Sequence, residues 1–178
     1  MKLLNKTKTY LIGGIQYEDG RVWRSDVSAW LNDLGVTVLN PYDSPFLFAP
    51  SEAPNEHEIL KAKLKAGIFK DVCDHMKQIV RFDLACVDRS DFILAYINPN
   101  VHSCGSYHEL FLANSLKKPI FLVINGGKEK CPLWLFGVFP ERYIYSSFEE
   151  VKEMLTRINN GDIVPDSNRW RLLKHSLR

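Results

Sequence analysis

Short, bounded apolar runs constrain this chain more than any other feature. Residues 10–12, 36–39, Phe92–Ile97 and 119–124 each read as a buried strand, and residues 142–145 as a weaker fifth. Helix-forming segments lie between them. Residues 22–34 space Val22, Trp23, Val27, Trp30, Leu31 and Leu34 on a helical period, and Gly35 supplies a stop. Residues 56–76 read as a helix broken at Gly67 and continuing with a kink toward Asp88; residues 109–116 form the next. Residues 148–158 place Phe148, Val151, Met154, Leu155 and Ile158 on one face. Strands that are apolar throughout are buried on both faces, which happens when helices cover both sides of a parallel sheet. The pattern predicts a single-domain, doubly wound α/β fold: a mostly parallel five-stranded sheet with helices on both faces, flavodoxin- or Rossmann-like. Residues 1–160 form the predicted domain. Residues 161–178 form a basic tail packed on it or on a neighbouring subunit.

A chain of 178 residues is long enough to bury a substantial core. Its net charge of +2 offers no general attraction to nucleic acid or membrane. The tail holds Arg169, Arg171, Lys174 and Arg178 without an acid, and reads as a solvated or subunit-packing segment in preference to a nucleic-acid contact. Cys73, Cys86, Cys104 and Cys131 form no Cys-x-x-Cys pair, which argues against zinc and a disulfide framework. No apolar run is long enough for a signal peptide or a membrane helix, so the expectation is a soluble protein in the reducing cytoplasm. No metal or organic cofactor is implied. Residues 40–55 carry Pro41, Pro45, Pro50 and Pro54 together with Phe46, Leu47 and Phe48, the composition of a long apolar loop that packs over a site or a partner. Beyond Gly126-Gly127, Trp134, Leu135 and Phe136 are expected to be buried.

Gly13-Gly14 after the first strand is neither a Walker loop nor a dinucleotide fingerprint, although it lets a ligand approach the backbone. A plain tight turn explains it as well. Asp83, Asp88 and Asp91 precede the third strand, and Glu109 follows it. Asp91 is expected at the far end of that strand from Glu109, contacting backbone. The path of Asp83 is open at this level. Glu109 falls in the first turn of the expected helix, at the carboxyl end of a strand, where ligands bind in open α/β sheets. Ser106-x-x-Glu109 also fits a capping box, and the positive helix end favours its charged form. By spacing alone it is equally a cap and a catalyst.

Four pieces of sequence, in this order and spacing, resemble the nucleoside 2-deoxyribosyltransferase family and its relatives that hydrolyse 2'-deoxynucleoside 5'-monophosphates. They are Tyr10-Leu11-Ile12-Gly13-Gly14, Asp83-Leu84 with Asp91 eight residues on, Gly105-Ser106-Tyr107-His108-Glu109-Leu110, and Lys118-Pro119-Ile120. The resemblance covers roughly residues 9–123. It implies cleavage of the N-glycosidic bond of a deoxynucleoside or its monophosphate, with base exchange or hydrolysis. Glu109 then matches the nucleophile that attacks C1', Asp83 the proton carrier to the departing base, and Tyr10 the hydroxyl that orients the nucleophile. Gly13, Gly14, Gln16, Ser103, Gly105 and Ser106 become substrate-binding residues. The implied partners are a small nucleoside or nucleotide and a nucleobase, and the implied assembly is a homo-oligomer.

Three departures bear on substrate. Ser103 stands six residues before Glu109, where the transferases tend to carry an aspartate and the monophosphate hydrolases a serine near the phosphate. Gln16 lies where those hydrolases have an Arg-containing loop. His108, beside the nucleophile, points to another helix face. Tyr17, Trp23, Phe46 and Phe48 are candidates to stack on a base, with core packing the better prior for each. A non-catalytic nucleotide or nucleotide-sugar binding module on the same scaffold is the competing reading.

Overall fold

The computed structural model describes residues 2–15, 18–43, 54–163, 165 and 168–171. Five strands form one all-parallel sheet in the order β2-β1-β3-β4-β5. They are β1 Lys8–Gly13, β2 Thr37–Leu39, β3 Phe92–Ile97, β4 Ile120–Ile124 and β5 Ile144–Tyr145. The order 2-1-3-4-5 is the flavodoxin arrangement, in which the chain reverses direction across the sheet between β1 and β3. Tyr10 pairs with Ile93 and Gly13 with Tyr96 along that seam.

Helices cover both faces. Leu11, Leu94, Phe121 and Val123 point to one side and pack on Trp23, Val27 and Leu31 of α1 (Glu18–Asp33) and on Val151, Leu155 and Ile158 of α6 (Phe148–Asn160). Tyr10, Ile12, Ile93, Ala95, Ile97 and Leu122 point to the other. They meet Cys86 and Val87 of α3 (Phe69–Arg89), Leu110 and Ala113 of α4 (Cys104–Ser115), and Leu135 of α5 (Leu133–Val138). Residue alternation along each strand thus feeds two separate cores. The expected break at Gly67 separates α2 (Pro54–Lys65) from α3.

Several expectations are corrected. Helix α4 starts at Cys104, five residues before the expected start at Glu109. The fifth strand has only two residues, because Glu141–Tyr143 ahead of it forms a 3-10 turn. Leu135 is buried as expected, but Trp134 is 76% exposed and Phe136 is also exposed. A six-residue helix presents a single face to the sheet, so the neighbours of its one buried residue turn outward. The apolar part of the 40–55 loop falls on residues 44–53, outside the described residues, as do Lys174 and Arg178 of the tail.

Near the tail, Trp170 lies buried against Phe92 and Phe121, with ring centroids 5.6 and 6.0 Å apart. Arg169 donates to the Lys118 carbonyl at 2.8 Å and to Asn114 Oδ1 at 2.7 Å. Among the described residues, no helix is long and apolar enough to cross a membrane.

Candidate active site

The site is assembled by three buried stripes. Strand β1 sends Tyr10 and Ile12 to the α3–α4 face. Helix α4 buries Ser106, Glu109, Leu110 and Ala113, the i, i+3, i+4, i+7 positions that face a sheet. Helix α3 buries Ile79, Asp83, Cys86 and Val87 on the same period. Two carboxylates therefore occupy phases that the rest of each helix fills with small or apolar groups. Both are 7% exposed. Helices α3 and α4 pack on each other and on β1, and the two carboxyls meet there beside Tyr10.

The Tyr10 hydroxyl donates to Glu109 Oε1 at 3.3 Å. Burial pushes the Asp83 carboxyl up to about 6, opposed by hydrogen bonding to Tyr10 and Glu109 and by the charge of Arg24. Asp83 Oδ1 is buried without a hydrogen-bond partner. An orphaned buried acceptor costs about 1–3 kcal/mol, and such groups concentrate where a ligand completes the bonding. Cys86, one turn on from Asp83, is pushed up to about 12 by burial and then by the negative charges of Asp83 and Glu109. It stays a thiol at neutral pH and is a poor nucleophile there.

The capping reading of Glu109 fails. Ser103 occupies the N-cap of α4 without a side-chain capping bond, Ser106 is already inside the helix, and no acid lies in the first turn. Glu109 sits in the second turn, facing Tyr10. The local rule went astray because it took the wrong helix start, and the start sets the phase of every later residue.

The other expected site residues fall around this centre. Gly13 ends β1, where an added Cβ would lie 2.8 Å from the Tyr96 carbonyl oxygen and 3.1 Å from the Trp23 ring. Only glycine fits there. Gly14 follows at the mouth of the turn, half-buried, and Gln16 lies outside the described residues. Ser106 is buried one turn before Glu109. Ser103 is half-buried, its hydroxyl donating to the Val101 carbonyl at 3.4 Å, and Gly105 is exposed with open space beside its Cα. His108 is exposed, on another face as expected. Asp91 lies at the far end of β3, accepting the Lys8 amide at 2.7 Å. Trp23 belongs to the opposite face, against Tyr96 and Phe148, so it is not placed to stack on a ligand at Glu109. Tyr17, Phe46 and Phe48 lie outside the described residues.

Sequence reasoning missed Arg24. It is 1% exposed, and its guanidinium donates to the carbonyls of Gly13 at 2.8 Å, Gly20 at 2.8 Å, Gly14 at 3.1 Å and Leu11 at 3.5 Å. The signal was present: Gly20, Arg24, Val27 and Leu31 share one buried phase of α1. Among the described residues, no group of three His, Cys, Asp or Glu side chains converges to hold a metal ion.

Fold and site together define a flavodoxin-ordered α/β protein with two carboxyls and a tyrosine buried over its first strand. Among solved structures, the chain is similar to the 2-deoxyribosyltransferase of the psychrotolerant bacterium Bacillus psychrosaccharolyticus. The TM-score is 0.51 at 20% identity, over 82% of this chain and 90% of that one. It is also similar to a CMP N-glycosidase of Clostridium botulinum, with a TM-score of 0.48 at 17% identity, over 84% of this chain and 98% of that one. The first likeness shows that this chain has the fold of a 2-deoxyribosyltransferase. No family model and no curated protein matches the chain.

Proposed function

We propose that the chain cleaves the N-glycosidic bond of 2'-deoxynucleosides or their 5'-monophosphates through a covalent glutamyl-deoxyribose intermediate, and passes the sugar to a second base. The observation that carries this reading is the contact of Tyr10 with Glu109, buried beside Asp83 over β1. A carboxylate nucleophile must be ionised, held still and shielded from water. The Tyr10 hydroxyl, bonded to Oε1, fixes the carboxylate that attacks C1'. Attack there expels the base through an oxocarbenium-like transition state, the logic of retaining glycosidases. Asp83 carries the proton that lets the base depart neutral. A carboxyl raised to about 6 holds a proton near neutrality and yields it readily, as a general acid must. The second half-reaction reverses these roles with a new base.

Hydrolysis is the second reading, and Ser103 favours it on the monophosphate. A neutral hydroxyl at the N-cap of α4 tolerates a phosphate that an aspartate would repel. Water then replaces the acceptor base. The proposal extends to assembly as a homo-oligomer. Ile59, Phe69, Met76 and Val80 on α2 and α3 are large, apolar and exposed, as at a subunit contact.

The test incubates the protein with deoxynucleosides and deoxynucleoside monophosphates, with and without a second base, and separates the products by chromatography. A new nucleoside indicates transfer; free sugar or sugar phosphate indicates hydrolysis. Glu109→Gln is expected to fold normally and lose at least about 10³-fold in turnover, since an amide cannot form the glycosyl ester. Substantial activity in that variant, or no product from folded wild-type protein across the panel, refutes the reading. The latter outcome favours a non-catalytic binding module.

A further inference from the structure

A cavity of about 350 Å³ opens on the α1–α6 face, where residues of β4, β5, α6 and the described part of the tail surround it. Phe121, Tyr145, Ile158 and Trp170 line it and belong to the core on that side. The sheet therefore lies between the cavity and Tyr10 with its partner Glu109. Its volume falls in the range of small-molecule pockets, roughly 300–1,000 Å³. The walls are aromatic and aliphatic. Phe121 stacks on Tyr145 with ring centroids 5.8 Å apart and meets Trp170 edge-on at 6.0 Å, and Met154 and Ile158 of α6 close the other side. Two donors in these walls lack acceptors. Tyr145 is 8% exposed and Trp170 4%, yet among the described residues neither the phenol hydroxyl nor the indole N–H takes part in a hydrogen bond. Buried tyrosine and tryptophan normally place these groups on a partner, so their lack of one here points to a group that comes from outside the chain. Burial, with smaller contributions from Tyr143 and Glu150, pushes the Tyr145 hydroxyl up to about 12, which keeps it a donor at neutral pH.

The cavity's rim is cationic. Arg142 lines it while exposed, its guanidinium carbon 5.0 Å from the Tyr143 ring, and Arg169 stands 5.2 Å from the same ring. Arg169 donates to the Lys118 carbonyl and to Asn114 Oδ1, both neutral, and among the described residues it forms no ion pair. We propose that this cavity is a second ligand site, which takes a small planar aromatic acid. The ring enters between the aromatic wall and α6, oxygen acceptors meet the donors of Tyr145 and Trp170, and the negative charge faces Arg142 and Arg169. Each part of that ligand answers a feature of the cavity. An alkane would leave both donors unmade, and a cation would meet two guanidinium groups of its own sign. The inference does not depend on the glycosidic reading, because the cavity shares no residue with the site at Glu109.

Titration calorimetry of the full chain at neutral pH tests this with two probes that share a ring: 2-naphthoate, which is charged, and 2-naphthamide, which is not. The naphthoate is expected to bind at one site with a Kd of about 0.1 mM or tighter, a modest affinity for a ligand of this size. The amide is expected to bind at least about fivefold more weakly, having lost the charge-assisted contact. Two conservative variants locate the site. Tyr145→Phe removes only the unpartnered hydroxyl and is expected to weaken both probes at least about fivefold. Arg142→Gln changes an exposed side chain and is expected to weaken the naphthoate alone, bringing the two probes closer in affinity. Absence of binding by folded protein marks the cavity as a packing void and overturns the proposal. Wild-type affinities in Tyr145→Phe, or displacement of the naphthoate by a deoxynucleoside, place the probe elsewhere and overturn it too. Equal affinity for the two probes, or an unchanged ratio in Arg142→Gln, overturns the assignment of an acid. None of these outcomes bears on the products of the chromatographic test, so the two readings fail separately.

Discussion

Asp83→Asn removes a titrating carboxyl from a buried position at nearly constant volume, and its effect on stability follows from the site. Burial raises the Asp83 carboxyl from 3.8 to about 6, so the folded protein binds this proton more tightly than the unfolded chain does. Below about pH 4 the acid is protonated in both states and adds no pH dependence. Between about pH 4 and pH 6 the unfolded chain ionises first, and wild-type stability falls as pH rises. Above about pH 6 both states are ionised and the loss is complete. At about 1.4 kcal/mol per pH unit, a displacement of about two units amounts to roughly 3 kcal/mol. Asparagine has no such loss. Relative to wild type, the variant is therefore expected to gain roughly 3 kcal/mol between about pH 4 and pH 8. Urea denaturation of both proteins at closely spaced pH values measures the difference, and distant carboxylates cancel in it. A difference that is flat across the window, or that favours wild type at high pH, refutes the conclusion that burial dominates at Asp83.

Gly13→Ala forces a Cβ to within 2.8 Å of the Tyr96 carbonyl and is expected to cost about 1–3 kcal/mol in denaturation measurements; a loss below about 0.5 contradicts the close approach. Trp170→Ala empties the space beside Phe92 and Phe121 and is expected to cost about 3–5 kcal/mol. A negligible loss there means that this part of the tail does not belong to the core. Ser103→Asp places a carboxylate at the N-cap of α4 and is expected to lower kcat/KM for monophosphates at least about tenfold while sparing deoxynucleosides. Equal effects on both substrates remove Ser103 from the phosphate site.

Elements whose pattern is local were legible in the sequence. Strand β3 occupies Phe92–Ile97 as expected, because six apolar residues between turn-formers leave little choice of bounds. Helix α6 runs only two residues past its expected end, reaching Gly161 at φ 83°. The start of α4 was not legible. Asn98, Pro99, Asn100 and Gly105 favour loop by propensity, yet the helix begins at Cys104, where packing of Ser106 and Glu109 outweighs poor helix formers. Arg24 was obscured for the opposite reason. A charged residue in an amphipathic helix reads as solvated, and the carbonyls at the end of β1 that receive its guanidinium become visible only in the fold.

By itself the sequence determined the layer architecture and the candidate acids, because hydrophobic period and composition are properties of consecutive residues. Which charges share one site was decided by tertiary structure. Tyr10 and Glu109 are 99 residues apart and touch only because β1 and β3 are adjacent strands, with α4 returning over their shared face. The same geometry brings Asp83 of α3 beside Tyr10 and Glu109. No local pattern encodes a meeting of side chains from one strand and two different helices. It exists only once the sheet holds those helices in place.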